Sequence, residues 1–129
     1  MRILLDTHLL LWAVGNSQRL PNSVREKLED PSNALFASTA SLWEIAIKIM
    51  LRRTDFAIEI RALRKALRSM SVDELPVAGD HIEALLDLPE LHRDPFDRLL
   101  VAQSLAEPMS LWTNDRLVSQ YSDSITLLS

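Results

Sequence analysis

The sequence predicts an α/β sandwich in which a mainly parallel central sheet is flanked by helices on both faces. Three observations lead to this prediction. Short apolar runs of strand length alternate with helix-length segments along the whole chain. Proline, asparagine, serine and aspartate stand where several of the helical segments begin. The chain has 129 residues and shows no repeat or linker, so we expect residues 1–129 to form a single domain.

In the first half of the chain, each predicted element has a local signal. Apolar runs predict buried strands over residues 2–5 and 34–38. Helical patterns predict helices over residues 9–14, 24–30, 41–51 and 56–70. The first helix is expected to close near Gly15, and the second follows Pro21 and stops before Pro31. The third and fourth carry apolar residues at helical spacing, so each has one face for the core.

The second half of the chain continues the alternation. Apolar runs predict strands over residues 74–77, 109–113 and 124–128. Helices are predicted over residues 78–88, 95–106 and 115–121. The helix over 95–106 has the clearest start, because Pro95 suits the first helical position. That placement makes Asp94 the N-cap and Asp97 the third helical residue.

Composition excludes several classes of site. The chain contains no cysteine, so disulfides and thiolate metal sites are not available. Its two glycines are too few for a glycine-rich phosphate loop. The N-terminal segment does not resemble a signal peptide and no run of about 18 apolar residues occurs, so we expect a cytoplasmic protein without a membrane span. The net charge of −4 argues against indiscriminate nucleic-acid binding, although a local basic face can override it.

Four acidic residues are expected at the same edge of the sheet. Asp6 follows the first strand, Glu44 lies in the first turn after the second strand, and Asp97 lies in the first turn of a later helix. Asp115 follows the strand over 109–113. The carboxyl ends of parallel strands and the N-termini of the returning helices share one edge, which is where ligands bind in such folds. Each acid also has a structural explanation as a helix-start residue, and Ser41 with Glu44 has the spacing of a capping box.

A cluster of carboxylates favours a divalent cation. Neighbouring carboxylates raise one another's pKa unless a cation compensates their charge. Mg²⁺ and Mn²⁺ prefer oxygen ligands, and either ion can activate water for attack on a phosphodiester. The pattern is therefore typical of a nuclease.

The motifs around the four acids resemble those of the PIN-domain family, and specifically the VapC-like ribonuclease toxins of bacterial toxin–antitoxin systems. The matching stretches are "ILLDTHLLLW", "SLWEIAIK", "HRDPFDRLLVAQ" and "TNDRLV", which occur in the family's order across essentially the whole chain. The chain departs from many relatives after "EIAIK", where "IMLRRT" replaces a glycine-containing turn.

This resemblance implies a PIN-like three-layer sandwich and an endoribonuclease that depends on Mg²⁺ or Mn²⁺. It also implies inhibition by a cognate antitoxin protein, an RNA substrate and a homodimer. Carried over by position, the catalytic acids are Asp6, Glu44, Asp97 and Asp115. Asp6 and Asp97 are the first choices as metal ligands, and Glu44 and Asp115 complete the site, contact a second ion or orient the attacking water. Asp115 is the third predicted metal ligand. Thr7 and Thr113 are expected to hold water or carboxylates through their hydroxyl groups, and Asp94 supports the site as an N-cap.

Basic residues give weaker signals for RNA binding. Lys48 follows Glu44 by four positions and Arg98 follows Asp94 by four, which is the spacing of helical ion pairs or of phosphate contacts. A basic stripe with helical spacing is formed by Arg61, Arg64, Lys65 and Arg68, opposite an apolar side that begins at Phe56. The stripe is either a solvated face or an attraction for the RNA backbone.

Histidines and tryptophans are expected to be structural. His8 lies two positions after Asp6, where packing or support of the site is favoured over general-base catalysis. His81 and His92 lack a recognisable ligand spacing. Trp12, Trp43 and Trp112 each sit in an apolar run and are expected to pack in the core.

Two other functions compete with a nuclease. A phosphatase of the haloacid-dehalogenase type would use Asp6 as its nucleophile, but such enzymes need a second aspartate where His8 stands. A degenerate PIN-like module would bind RNA or protein without catalysis. The presence of all four acids weighs against that second alternative.

Overall fold

The computed structural model describes residues 1–52 and 58–128, which form a five-stranded sheet with helices on both faces. The strands are β1 (Arg2–Leu5), β2 (Ala34–Ser38), β3 (Val72–Leu75), β4 (Ser110–Thr113) and β5 (Ile125–Leu127). The helices are α1 (Thr7–Val14), α2 (Asn22–Glu29), α3 (Thr39–Met50), α4 (Ile60–Ser69), α5 (Gly79–Leu86), α6 (Pro95–Ala106) and α7 (Arg116–Ser119). The predicted α/β sandwich is confirmed. Among the described residues, no helix is long and apolar enough to cross a bilayer.

The first strand occupies the centre of the sheet. The strand order is β3-β2-β1-β4-β5, and all four neighbouring pairs are parallel. Leu5, at the end of β1, pairs with Ala37 on one side and with Trp112 on the other. The chain therefore builds one half of the sheet and then returns to the other side of β1. This reversal between β1 and β4 is the topological switch point, beside which open α/β sheets bind ligands.

Apolar side chains of β1 alternate between two cores. Ile3 and Leu5 face one core, which is completed by residues of α1 to α4 and includes Leu63 and Leu67. Leu4 points to the opposite face, where Leu100 and Val118 are among its core neighbours. This alternation is the period of two expected of a strand that is covered on both faces. It makes the fold three layers thick.

The structure corrects the predicted boundaries of β3 and α4. The third strand is β3 at Val72–Leu75, whereas the sequence pattern placed it at 74–77. Pro76 follows the strand and has no N–H to donate to a neighbour, so pairing ends before it. The helix predicted over 56–70 begins at Ile60 within the described chain, and the predicted apolar position Phe56 lies outside the described residues.

The start of α3 differs from the prediction in a way that affects the site. Ser38 is the N-cap, and its hydroxyl oxygen accepts a 3.0 Å hydrogen bond from the N–H of Ala40. The predicted capping box of Ser41 and Glu44 is therefore wrong. Ser41 is buried inside the helix, and Glu44 lies in the second turn, where it is too far along to cap the start.

The three tryptophans do not share one environment. Trp112 is buried in β4 and Trp12 packs against the core, as predicted. Trp43 is 61% exposed, so its predicted core position is wrong. Its ring instead meets Phe96 in an edge-on contact, with 5.2 Å between the ring centroids. The apolar run around Trp43 spans more than one face of α3, and Trp43 lies on the outer one.

Candidate active site at the sheet switch point

Three of the four predicted acids line one open cavity of about 340 Å³. These acids are Asp6, Asp97 and Asp115, which come from the end of β1, the start of α6 and the start of α7. The other residues that line the cavity are His8, Asn114 and Arg116. The predicted gathering of acids at the carboxyl edge of the sheet is thus seen for these three. Asp6 and Asp115 converge because they follow β1 and β4, which are neighbours in the sheet.

Asp6 is held from both sides of its carboxylate. As the N-cap of α1, it accepts a 2.9 Å hydrogen bond at Oδ1 from the N–H of Leu9. The hydroxyl of Thr113 donates a 2.6 Å hydrogen bond to Oδ2. The Thr113 oxygen also accepts a 3.0 Å bond from the N–H of Asp115, so one buried hydroxyl connects two acids. Burial raises the pKa of Asp6 above its ordinary value, although these hydrogen bonds oppose the shift.

Glu44 is buried beside the cavity without lining it. The hydroxyl of Thr7 donates a 2.8 Å hydrogen bond to its Oε1 and lies 2.9 Å from the Ser41 oxygen. The ammonium of Lys48 lies 3.3 Å from Oε2, which confirms the predicted ion pair along α3. Thr7 directly follows Asp6, so it joins the first acid motif to the second. The charge of Glu44 reaches the cavity, since it contributes to raising the pKa of Asp97.

Asp97 has the environment of a carboxylate with uncompensated charge. Asp94 is the N-cap of α6 and Pro95 its first residue, as predicted, and Asp94 Oδ1 accepts hydrogen bonds of 2.8 Å from the Phe96 N–H and 3.3 Å from the Asp97 N–H. Burial raises the pKa of Asp97 to about 7, and the negative charge of Asp94 adds to the shift. Glu44 and Asp6 act in the same direction, and His92 opposes the shift.

Asp115 is shifted in the opposite direction. It is the N-cap of α7, and its Oδ1 accepts a 2.8 Å hydrogen bond from the N–H of Leu117. Its Oδ2 lies 2.9 Å from Nε2 of His92. Burial alone would raise the pKa of Asp115, but the hydrogen bonds from His92 and the backbone outweigh it and lower the pKa below its ordinary value. The surroundings of two acids in the same cavity therefore shift their pKa values in opposite directions.

The arrangement fits a hard divalent cation. Three carboxylates line the same cavity, and oxygen ligands of this kind are those that Mg²⁺ and Mn²⁺ prefer. Burial, together with the negative charges of Asp94, Glu44 and Asp6, raises the pKa of Asp97 to about 7, so the ionised carboxylate would gain from positive charge that balances its neighbours. A bound cation would favour the ionised carboxylates and supply that balance. Asp97 and Asp115 also bring carboxylate oxygens within 4.8 Å of each other.

Most of the predicted basic residues lie elsewhere. Arg64 forms a two-pronged ion pair with Glu74, with its Nε 2.6 Å from Oε2, so this member of the stripe stabilises the junction of α4 and β3. None of the stripe residues lines the acidic cavity within the described chain. The Asp94–Arg98 pair allowed by the spacing is not seen in the described part of the chain, where the Nε of Arg98 is buried without a hydrogen-bond partner.

Sequence reasoning missed His92 and Arg116 as residues of the site. His92 lies between Asp97 and Asp115, although no ligand spacing marked it. Arg116 directly follows the fourth acid, and that adjacency was its only sequence signal. His8 is exposed at the cavity, which agrees with a place near the site and not with packing in the core. His81 is a buried structural histidine, with its Nε2 2.6 Å from Glu107.

Comparison with known proteins gives one family and a shared fold. Residues 3–123 match the PIN domain family. A structure of VapBC2 from Rickettsia felis bound to a DNA fragment from their promoter is similar, with a TM-score of 0.71 and 17% identity over 99% of this chain and 98% of that chain. A toxin–antitoxin complex from Klebsiella pneumoniae has a TM-score of 0.66 and 17% identity over 96% and 95% of the two chains. No curated protein matches the sequence.

Proposed function

The chain belongs to the PIN-domain family, and from that premise we propose that it is an endoribonuclease dependent on Mg²⁺ or Mn²⁺. We further propose that it is the toxin of a toxin–antitoxin pair. The observation that carries the proposal is the convergence of Asp6, Asp97 and Asp115 on one cavity at the switch point of the sheet. Members of the family are nucleases, and a carboxylate cluster is the ligand set that phosphodiester hydrolysis with a divalent cation requires.

In this proposal Asp6, Asp97 and Asp115 hold the cation, and Glu44 supports them with its charge. A bound Mg²⁺ or Mn²⁺ would activate a water molecule and neutralise charge on the phosphate under attack. Asp6 is held in a fixed orientation, because the Leu9 N–H and the Thr113 hydroxyl each donate a hydrogen bond to a different oxygen of its carboxylate. The fixed orientation of Asp6 reduces the reorganisation needed when substrate binds.

Arg116 is the cation best placed to contact the substrate. It is exposed and lines the cavity together with the three acids, so it offers a guanidinium to an RNA phosphate next to the scissile one. The weaker predicted RNA contacts remain Arg98, Arg61, Lys65 and Arg68. Lys48 and Arg64 already pair with carboxylates, so they are weaker candidates for contact with RNA.

The proposed partner is a cognate antitoxin, and the proposed assembly is a homodimer in the cytoplasm. Support for the antitoxin comes from the two similar folds, since one belongs to a toxin–antitoxin complex and the other to VapBC2 on promoter DNA. At 17% identity, that likeness concerns the fold, so the partner has to be tested directly. The test is growth arrest on expression of the chain, relieved by co-expression of a small reading frame beside its gene.

RNA cleavage by the purified protein tests the enzymatic proposal. We expect cleavage of single-stranded RNA with Mg²⁺ or Mn²⁺, none in excess EDTA, and recovery when the cation is restored. Asp6→Asn should abolish cleavage and keep the folded circular dichroism spectrum. Asp73→Asn, a change of the same type on the exposed side of β3, should cleave like the parent protein.

Other outcomes would contradict the proposal. Full cation-dependent cleavage by Asp6→Asn would overturn the site assignment. RNA binding without any cleavage, under all cation conditions, would favour the degenerate binding module. Hydrolysis of small phosphate monoesters through an aspartyl-phosphate on Asp6 would favour the phosphatase.

A further inference from the structure

His92 connects two acids that come from different helix starts. It lies in the segment before α6, and its ring is largely buried, with 15% of the side chain exposed. Its Nε2 lies 2.9 Å from Asp115 Oδ2 and 3.5 Å from Asp97 Oδ2. Its backbone N–H donates a 2.8 Å hydrogen bond to the hydroxyl oxygen of Tyr121, which fixes the segment against the region that follows α7.

The contact made by Nδ1 shows which of the two ring nitrogens of His92 carries the proton. The N–H of Asp94 donates a 3.0 Å hydrogen bond to His92 Nδ1, so Nδ1 must present a lone pair. In the neutral ring, the proton is then on Nε2, where it faces the carboxylates. A protonated Nε2 has no lone pair for a metal ion. His92 is therefore arranged to donate to Asp115 and not to coordinate a cation.

Asp115 depends on this donor for its orientation. Its Oδ1 is occupied by the backbone N–H groups of Leu117 and Val118, as expected for an N-cap. Only His92 contacts Oδ2 among the hydrogen bonds of the described residues. Asp115 is also the most exposed of the three cavity acids, with 38% of its side chain open to solvent. Loss of the Nε2 donor would leave one oxygen free to rotate towards water.

The same ring also fixes the start of α6. Its acceptor nitrogen holds the N–H of Asp94, and Asp94 in turn caps the first turn that carries Asp97. We infer that His92 is a positioning residue whose Nε2–H donor orients Asp115 relative to Asp97 and thereby sets the affinity of the site for a divalent cation, while the contact at Nδ1 fixes the tautomer. This inference rests on the proposed function for the identity of the site, but it concerns cation binding and not RNA.

Two substitutions separate the roles of the two ring nitrogens. Glutamine places an amide donor near the position of Nε2, whereas asparagine places an acceptor near that of Nδ1. We expect His92→Asn and His92→Leu to weaken Mn²⁺ binding by about 10- to 100-fold, as for other residues that orient ligands, and His92→Gln to stay within about threefold of the parent. Calorimetric titration with Mn²⁺, without RNA, measures this. Comparable losses in Asn and Gln variants, or no loss in either, would overturn the inference.

Tyr121→Phe is the matched control for a merely structural role. It removes the anchor of the His92 backbone and leaves the ring contacts in place, so Mn²⁺ affinity should change less than in His92→Asn. Thermal unfolding in EDTA identifies variants that fail to fold, and the Asn and Gln pair remains informative if His92→Leu is lost. An affinity loss in Tyr121→Phe equal to that of His92→Asn would contradict the inference.

The tautomer provides a test that needs no metal. Nitrogen NMR of the metal-free protein at pH 8 should show the Nε2–H form of His92, and an Nδ1–H ring would overturn the inference. A parent protein that binds Mn²⁺ but does not cleave RNA would contradict the proposed function and leave the His92 comparison intact. A parent protein that binds no Mn²⁺ would overturn both.

Discussion

The hydroxyl of Thr113 donates a 2.6 Å hydrogen bond to Oδ2 of Asp6 across 107 residues of sequence. Thr113 ends β4 and Asp6 follows β1, so this bond joins the two strands at the switch point. The same hydroxyl oxygen accepts the N–H of Asp115. Because valine has nearly the same shape and no hydroxyl, Thr113→Val removes both bonds while preserving the packing.

For Thr113→Val we expect a loss of about 2 kcal/mol in the free energy of unfolding, since two buried hydrogen bonds are removed. We also expect weaker Mn²⁺ binding, because Asp6 loses a fixed orientation. Urea unfolding and calorimetry measure the two effects. Thr126→Val, at an exposed position on β5, is the control and should change neither. Unchanged Mn²⁺ binding in Thr113→Val would show that this bond does not position Asp6.

The raised pKa of Asp97 predicts how the metal-free protein responds to pH. Its folded pKa of about 7 lies above the ordinary 3.8, so at intermediate pH the folded state holds a proton that the unfolded state has released. The corresponding stability is present at acidic pH and is lost as pH rises through 7. In EDTA, we expect the protein to be less stable at pH 8 than at pH 5. Asp97→Asn should remove most of that difference and be more stable than the parent at pH 8, although inactive.

Chemical unfolding at a series of pH values checks this expectation. Asp73→Asn should follow the parent curve, because the side chain of Asp73 is exposed on β3. A parallel pH dependence in the parent and in Asp97→Asn would contradict the assignment of the effect to Asp97.

The roles of Asp94 and Asp97 can be distinguished by replacing each aspartate with asparagine. Asp94→Asn should keep substantial RNA cleavage, because asparagine also caps helices and can accept the Phe96 and Asp97 N–H groups. It also removes a negative charge that raises the pKa of Asp97. Asp97→Asn should abolish cleavage. The RNA cleavage rates of the two variants, measured under the same conditions, test this prediction. An equal loss of cleavage in both variants would place Asp94 within the metal site.

Arg116 and the basic stripe make different predictions for RNA affinity. Binding is measured with the inactive Asp6→Asn protein at several salt concentrations. Arg116→Gln in that background should weaken binding and reduce the slope of log K against log salt by about one, as for one lost phosphate contact. Arg61→Gln, on the exposed face of α4, serves as the comparison and tests the stripe directly. A larger effect from Arg61 than from Arg116 would move the RNA path to α4.

The unequal burial of two tryptophans predicts unequal stability losses. Trp112→Ala should cost about 3–5 kcal/mol of unfolding free energy, because Trp112 is only 4% exposed within the core. Trp43→Ala should cost less than about 1 kcal/mol, since most of its ring already faces solvent. Urea unfolding of both variants tests this contrast. Similar losses would mean that Trp43 is covered in solution by another surface.

Local patterns were sufficient to predict most of the fold. The alternation of apolar runs and amphipathic segments predicted five strands and seven helices, and the proline after Asp94 fixed the start of α6. The start of α3 was misplaced because Ser38 and Ser41 are both plausible caps, and only the end of β2 decides between them. The exposed position of Trp43 was missed because hydrophobicity alone does not show which face of α3 meets the core.

The candidate site was only partly predictable for a related reason. Topology predicted that acids following different strands would meet, and Asp6, Asp97 and Asp115 do line one cavity. The contact between His92 and Asp115 joins two irregular segments 23 residues apart, and no periodic pattern records such a pairing. The spacing of residues within a helix or strand predicts where their side chains lie. The position of His92 depends instead on three hydrogen-bond partners that come close to it only in the folded chain.

The central position of β1 has a consequence for protein synthesis. Asp6 leaves the ribosome more than one hundred residues before its hydrogen-bond partner Thr113. At ordinary elongation rates that interval is about 5–20 s. Until it ends, β1 has β2 but not β4 beside it, and Asp6 has no hydroxyl to orient it. The nascent chain therefore cannot assemble the proposed cleavage site, and the messenger RNA being translated is exposed to it only after nearly the whole domain has been made.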